Sequence, residues 1–107
     1  MSLTLRDAQY LCWKNFKKID RRSSLKDGEA WTPYTLMKDL LKEVSDTAGL
    51  VKKLGGNTSD QPKPNEGLAT ELSNILYFVF VVAEYYGINL EESFLQTMND
   101  LILKFMT

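Results

Sequence analysis

Two short segments carry the same arrangement of oxygen ligands. One is Glu43-Val44-Ser45-Asp46 and the other is Glu71-Leu72-Ser73-Asn74. In a helix, residues three apart share a face, so each segment presents a pair of oxygen-bearing side chains around a small Ser. Two such faces opposed in a helical hairpin would gather four oxygen ligands, the kind of site that hard cations such as Mg²⁺ prefer. The second copy ends in Asn74, which keeps an oxygen but drops a charge. With no His in the chain, the commonest general base and the Ser-His and Cys-His nucleophile systems are absent. Any catalysis falls to carboxylates. Taken singly, an acid pair at this spacing is ordinarily a solvated helix face. These two border apolar stripes, with Val44 and Thr47 beside the first and Leu72 and Ile75 beside the second. A carboxylate in such surroundings needs a partner or a cation.

The elements that must hold these residues are helices. Leu5, Ala8, Cys12, Phe16 and Ile19 recur at spacings of three and four and predict a first helix over roughly residues 4–21. Residues 21–30 are polar and read as a loop. Thr32-Pro33 is a strong start signal for a second helix. Its expected stripe is Leu36, Leu40, Val44, Thr47, Val51 and Leu54, and Gly55-Gly56 ends it. Residues 55–65 form a Gly-, Asn- and Pro-containing loop, and Asn65 is placed to cap a third helix. That helix is lined by Leu68, Leu72, Ile75, Leu76, Val79 and Ala83. It is apolar all round from Ile75 to Val82, so the surplus face reads as a subunit interface. Tyr86-Gly87 closes it. Asn89 opens a fourth helix with the stripe Phe94, Met98, Leu101 and Phe105. The small Ser45 and Ser73 are expected to let two helix backbones approach closely. The expectation is one all-α domain over residues 1–107, an antiparallel four-helix bundle.

Bulk composition narrows the function classes. The chain has 107 residues and a net charge of −1, with its 13 Lys and Arg scattered. That balance argues against a nucleic-acid partner. The single Cys12 fits a reducing compartment, and the short polar start Met1-Ser2-Leu3 does not read as a signal peptide, so a cytoplasmic location is expected. The longest apolar run is about half of the ~20 residues that a membrane helix needs, so no membrane partner is expected.

From Trp31 to Phe105 the chain resembles the MazG-like all-α nucleoside triphosphate pyrophosphohydrolases, a group that includes helical dUTPases and dCTPases. The resemblance rests on Trp31-Thr32-Pro33, Glu43…Asp46, the loop over residues 55–65, Glu71…Asn74, and Gly87-Ile88-Asn89-Leu90-Glu91-Glu92, in that order. It implies a homodimer or tetramer that hydrolyses a nucleoside triphosphate to the monophosphate and pyrophosphate with Mg²⁺ (or Mn²⁺). It further implies that Glu43, Asp46, Glu71 and Asn74 hold the metal, with Glu43 and Glu71 catalytic. Trp31 would contact the base and Lys104 phosphate. Outside the resemblance, Trp13 and Phe16 read first as core or interface aromatics, with stacking on a base as the alternative. Asp46 and Asn74 depart from the Glu and Asp of the pattern. Thr97, Leu101 and Ile102 stand where many relatives carry polar or cationic phosphate ligands, leaving Lys52, Lys53, Lys63 or a second subunit to supply charge. The alternatives are a degenerate relative that binds nucleotide or metal without turnover, and a helical oligomer whose apolar surface is its function.

Overall fold

In the computed structural model the described residues are 2–27, 31–55 and 65–106. They form four α-helices and no strand: α1 Leu5–Asp27, α2 Pro33–Lys53, α3 Glu66–Tyr85 and α4 Leu90–Met106. The expected positions 28–30, most of the loop at 55–65, and Lys63 lie outside the described residues. By contacts the chain divides into two compact units, residues 31–79 and residues 1–30 with 80–107.

The helix ends follow local chemistry. Thr32 adopts an extended backbone, and its hydroxyl accepts the Thr35 amide while Thr35 reaches back, closing a capping box in front of Pro33. Asn65 accepts the Leu68 amide at 3.0 Å and caps α3. Asn89 accepts the Glu92 amide at 3.3 Å and caps α4. The C-terminus of α3 ends in a Schellman turn, with Ile88 N–H bonded to Ala83 O at 2.9 Å and Gly87 at φ +67°. A side chain at Gly87 would sit in the left-handed region that only Gly enters freely. The first helix outruns its expected end: residues 21–27 are helical rather than loop. Arg, Lys, Leu and Ser all continue a helix once begun, and this stretch lacks Gly or Pro to stop it.

Unit 31–79 is a helical hairpin. Asn74 meets Glu43, while Glu71, one turn earlier on α3, meets Thr47, one turn later on α2, so the two helices run antiparallel. The inner seam of α2 is Leu36, Leu40, Glu43, Thr47 and Leu50, and that of α3 is Leu68, Glu71, Ile75 and Phe78, all buried or half-buried. These positions alternate at three and four, as a close-packed helix pair requires. The seams therefore differ from the expected stripes. Val44, Val51, Leu54, Leu72 and Leu76 are exposed, and Glu43 and Glu71 take the inward places beside them. Ser45 and Ser73 are also exposed, so they do not bring the two backbones together. Ser73 instead back-bonds to Ala69 O at 2.8 Å.

The displaced hydrophobics are not scattered. On both helices they lie one residue after the seam positions, a rotation of about 100° along the chain. Because the helices are antiparallel, those opposite rotations bring both sets to the same side of the hairpin. That flank carries Met37, Leu41 (70 % exposed), Val44, Leu72 and Leu76. Asp46 and Asn74 fall on the other flank, both three residues after a seam acid.

Unit 1–30 with 80–107 is organised around a residue that periodicity does not single out. Gln9 is fully buried, whereas Ile19 of the expected stripe is exposed. The Gln9 side-chain amide donates to Glu84 Oε2 at 2.8 Å and to Ile88 O at 2.7 Å, and its oxygen accepts the Leu90 amide at 3.1 Å. Arg6 pairs with the same Glu84 carboxylate. Trp13 packs against Phe16 and Tyr85. The α4 stripe is mostly uncovered: Phe94, Leu101 and Phe105 are exposed, and Met98 alone is half-buried.

By length and composition α3 could cross a membrane, contrary to the estimate from its longest apolar run. The same composition describes a core helix, and Phe80, Val81 and Ala83 are buried. Replacing Gln9 with Leu would remove a partner from a half-buried carboxylate, a carbonyl and an amide at once. The expected loss is about 2–4 kcal/mol of folding stability, read as a lowered midpoint in urea unfolding. An unchanged midpoint would show that this network is dispensable.

Candidate functional site

Three of the residues singled out for chemistry, Glu43, Glu71 and Asn74, meet at one edge of the α2–α3 hairpin, and Asp46 stands beside them. Glu43 and Glu71 occupy facing seam positions and are half-buried. Their carboxyl groups are within hydrogen-bonding reach of each other, and Asp46 adds negative potential. Asn74 donates its side-chain amide to Glu43 Oε1 at 3.5 Å, which leaves its own carbonyl oxygen as a spare acceptor. Asp46 and Asn74 are exposed on the flank onto which this pair opens. The spacing of three therefore works differently from the expected shared face. In each copy the first residue sits between the helices, and the second stands on the solvent edge beside it.

The crowding has an electrostatic consequence. The Glu71 carboxyl is pushed above its ordinary range, first by its hydrogen bond to Glu43, then by burial and by the charges of Glu43 and Asp46. Thr47 opposes the shift by hydrogen bonding to the Glu71 carboxyl. Thr47 is buried, and the single proton of its hydroxyl is shared between the Glu71 carboxyl and the Glu43 backbone carbonyl, 2.7 Å away. Sequence reasoning placed Thr47 in the packing stripe and missed this polar role. The available signal was a hydroxyl in a stripe otherwise filled by Leu and Val.

The donor set suits a hard divalent cation in kind. It consists of carboxylate and amide oxygens, and the salt bridge found among the described residues, Arg6–Glu84, belongs to the other unit. Two neighbouring carboxylates without a cation are held together only by sharing a proton. In number the set is sparse: among the described residues no group of three Asp, Glu, Cys or His side chains is near enough to form a complete cage. Substrate oxygens and water would have to complete the coordination shell, as is common for Mg²⁺.

The remaining candidates are not among these contacts. Trp31 lies two residues before Pro33, the first residue of α2, which is itself about 15 Å along the helix from Glu43 at 1.5 Å per residue. Lys52 and Lys53 are exposed in the last turn of α2. Of the two, Lys53 falls seven residues after Asp46 and so shares its flank, whereas Lys52 points away from it. Trp13, Phe16, Thr97, Leu101, Ile102 and Lys104 belong to the other unit. Comparison with models of known families, with curated proteins and with solved structures returned no match.

A raised Glu71 pKa means that the folded state holds its proton at pH values where the unfolded chain has released it. The resulting stabilisation is complete below the ordinary Glu value and is lost as pH rises through the raised one. Thermal stability should therefore fall across the window just above pH 4.5, and Glu71→Gln should flatten that fall. Glu84, held below its ordinary range first by its hydrogen bond to Arg6 and then, against burial, by Gln9, has the opposite sign. Its contribution is lost as pH drops below the usual carboxylate range. A melting curve series from pH 3 to 8 on both proteins would show whether the upper slope belongs to Glu71.

Proposed function

We propose that this chain is a Mg²⁺-dependent nucleoside triphosphate pyrophosphohydrolase of the MazG-like kind, with its site at the acidic edge of the α2–α3 hairpin. The observation that carries the reading is the meeting of Glu43 with Glu71 across the seam, with Asn74 and Asp46 at the mouth. Glu43 and Glu71 would hold the cation from the floor, and Asp46 and the Asn74 carbonyl from the edge. When bound, Mg²⁺ or Mn²⁺ would supply Lewis acidity toward the triphosphate and acidify a water.

What the protein's own groups contribute follows from their placement. Thr47 orients the Glu71 carboxyl through its hydroxyl. With a cation bound, the Glu71 carboxylate would be ionised and placed to accept a proton from the attacking water. Water oxygen bonds to the α-phosphorus, the bond to the bridging oxygen breaks, and pyrophosphate leaves with that electron pair. Lys53 on the same flank is the cation best placed to meet the phosphate tail. Trp31, at the far end of α2, is left for the base.

The apolar flank of the hairpin lies opposite the acidic edge, so a second copy seated there would leave the site open. A contiguous strip containing Met37, Leu41, Val44, Leu72 and Leu76 is the kind of surface that marks association. It supports assembly as a homodimer or tetramer. Leu41→Glu should shift sedimentation of the assembled protein toward the monomer and leave its helical content intact.

The decisive experiment is pyrophosphate release across a panel of nucleoside triphosphates at millimolar Mg²⁺ and Mn²⁺. Turnover should fall by roughly 10²–10⁴-fold in Glu71→Gln, with a comparable fall in Glu43→Gln. Turnover no greater than in those variants, for every nucleotide, would remove the enzymatic reading. A second reading is favoured by Asn74 and the incomplete acidic cage: nucleotide or metal binding without hydrolysis. It predicts that a nucleotide raises the melting temperature without being cleaved, and that Asn74→Asp lowers the Mg²⁺ concentration needed for the shift.

A further inference from the structure

The even charge balance conceals a strong asymmetry. Helix α1 carries Arg6, Lys14, Lys17, Lys18, Arg21, Arg22 and Lys26 against Asp7, Asp20 and Asp27, seven cations to three acids, or +4. With −1 overall, the rest of the chain stands at −5. The extension of α1 to Asp27 places all seven cations on one helix, where a loop beginning at residue 21 would have divided them.

Part of this helix face is built from cations and rings together. Tyr10, Trp13, Lys14, Lys17 and Lys18 line a shallow groove of about 310 Å³. They recur at three and four residues, so they share one side of α1. Lys14 lies over the Tyr10 ring at 5.6 Å and Lys17 over Trp13 at 5.4 Å. Tyr10 is 49 % exposed, and Lys14, Lys17 and Lys18 are exposed.

From this face we infer that α1 binds single-stranded nucleic acid, with lysines on the phosphates and Tyr10 and Trp13 against bases. Charge complementarity commits the surface to a polyanion. The interleaving of rings with lysines selects among polyanions. Bases present flat faces and phosphates at short alternating intervals, which this face matches in both chemistries. A helix lying on an anionic bilayer segregates rings from cations onto opposite faces; here they alternate on one. Duplex nucleic acid hides its bases and would engage the lysines alone. The inference does not depend on the acidic edge of the other unit, and it reverses the expectation drawn from net charge.

The test is fluorescence anisotropy of the full chain with a labelled 20-nucleotide oligo(dT) or oligo(U), alongside a matched duplex and phosphatidylserine vesicles. Single strands should bind at low salt, with a log–log salt slope near −2 if about three lysines contact phosphates. The triple variant Lys14→Ala, Lys17→Ala, Lys18→Ala should weaken binding at least tenfold. Tyr10→Ala, at a half-exposed position, should weaken single-strand binding about 5-fold or more while leaving the duplex unaffected. Circular dichroism of each variant checks that the fold is kept. Absence of binding at 50 mM salt, binding indifferent to the lysine triple, or a preference for vesicles or duplex would each overturn the inference. Loss of turnover in Glu71→Gln with oligonucleotide binding unchanged would separate it from the enzymatic reading.

Discussion

Two carboxylates facing each other between packed helices dominate the α2–α3 hairpin. Seam positions belong to hydrophobic residues, because burial there removes apolar surface from water. Glu43 and Glu71 take two of those positions, and like charges at such a place repel while both are ionised. The hairpin accommodates them by opening the pair toward one flank, by lending the Thr47 hydroxyl, and by keeping Glu71 protonated beyond its usual range. The hydroxyl and the retained proton relieve the repulsion in the bare hairpin, and a bound cation would relieve it by displacing that proton. Acids placed where hydrophobic residues pack best lower stability, as functional positions commonly do.

The same constraint explains the shape of the hydrophobic pattern. With acids in the seam, the hydrophobic residues next to them are rotated outward onto the opposite flank. The hairpin thereby acquires a wet acidic side and a greasy side from a single choice of register. Leu41 and Leu72 are exposed because Glu43 and Glu71 are turned inward. The acidic edge and the exposed apolar flank are two consequences of one helical rotation. In the other unit a buried polar group does constructive work of a different sort. Gln9 satisfies three groups at the α3–α4 junction, so a residue that helical stripes would assign to solvent locks α1 against the turn.

Much was legible in the chain before any coordinates. The four helices, the Thr32-Pro33 start, the Asn65 and Asn89 caps and the Gly87 stop are local events, written in neighbouring residues and hydrogen bonds spanning a few positions. A meeting of the two acid motifs in a hairpin was anticipated, and Glu43 and Glu71 do meet, but the shared face expected of each pair is not what brings them together. Burial was less legible. The stripes chosen from hydrophobicity included Val44, Val51, Leu72 and Leu76, and these face outward. On helices this rich in apolar residues two adjacent stripes satisfy the same periodicity, and composition cannot tell which one faces the partner helix.

The sequence by itself determined the helical class, the boundaries set by caps and breakers, and the inventory of oxygen ligands available in a chain without His. Those depend on backbone propensity and on contacts within a turn or two. The tertiary structure alone decided which acids point inward, that Thr47 supports Glu71, that Gln9 is buried, and that α1 runs to Asp27 with its cations on one helix. Each of those except the last requires knowing the rotation of one helix against another, a quantity set by summed packing across distant residues.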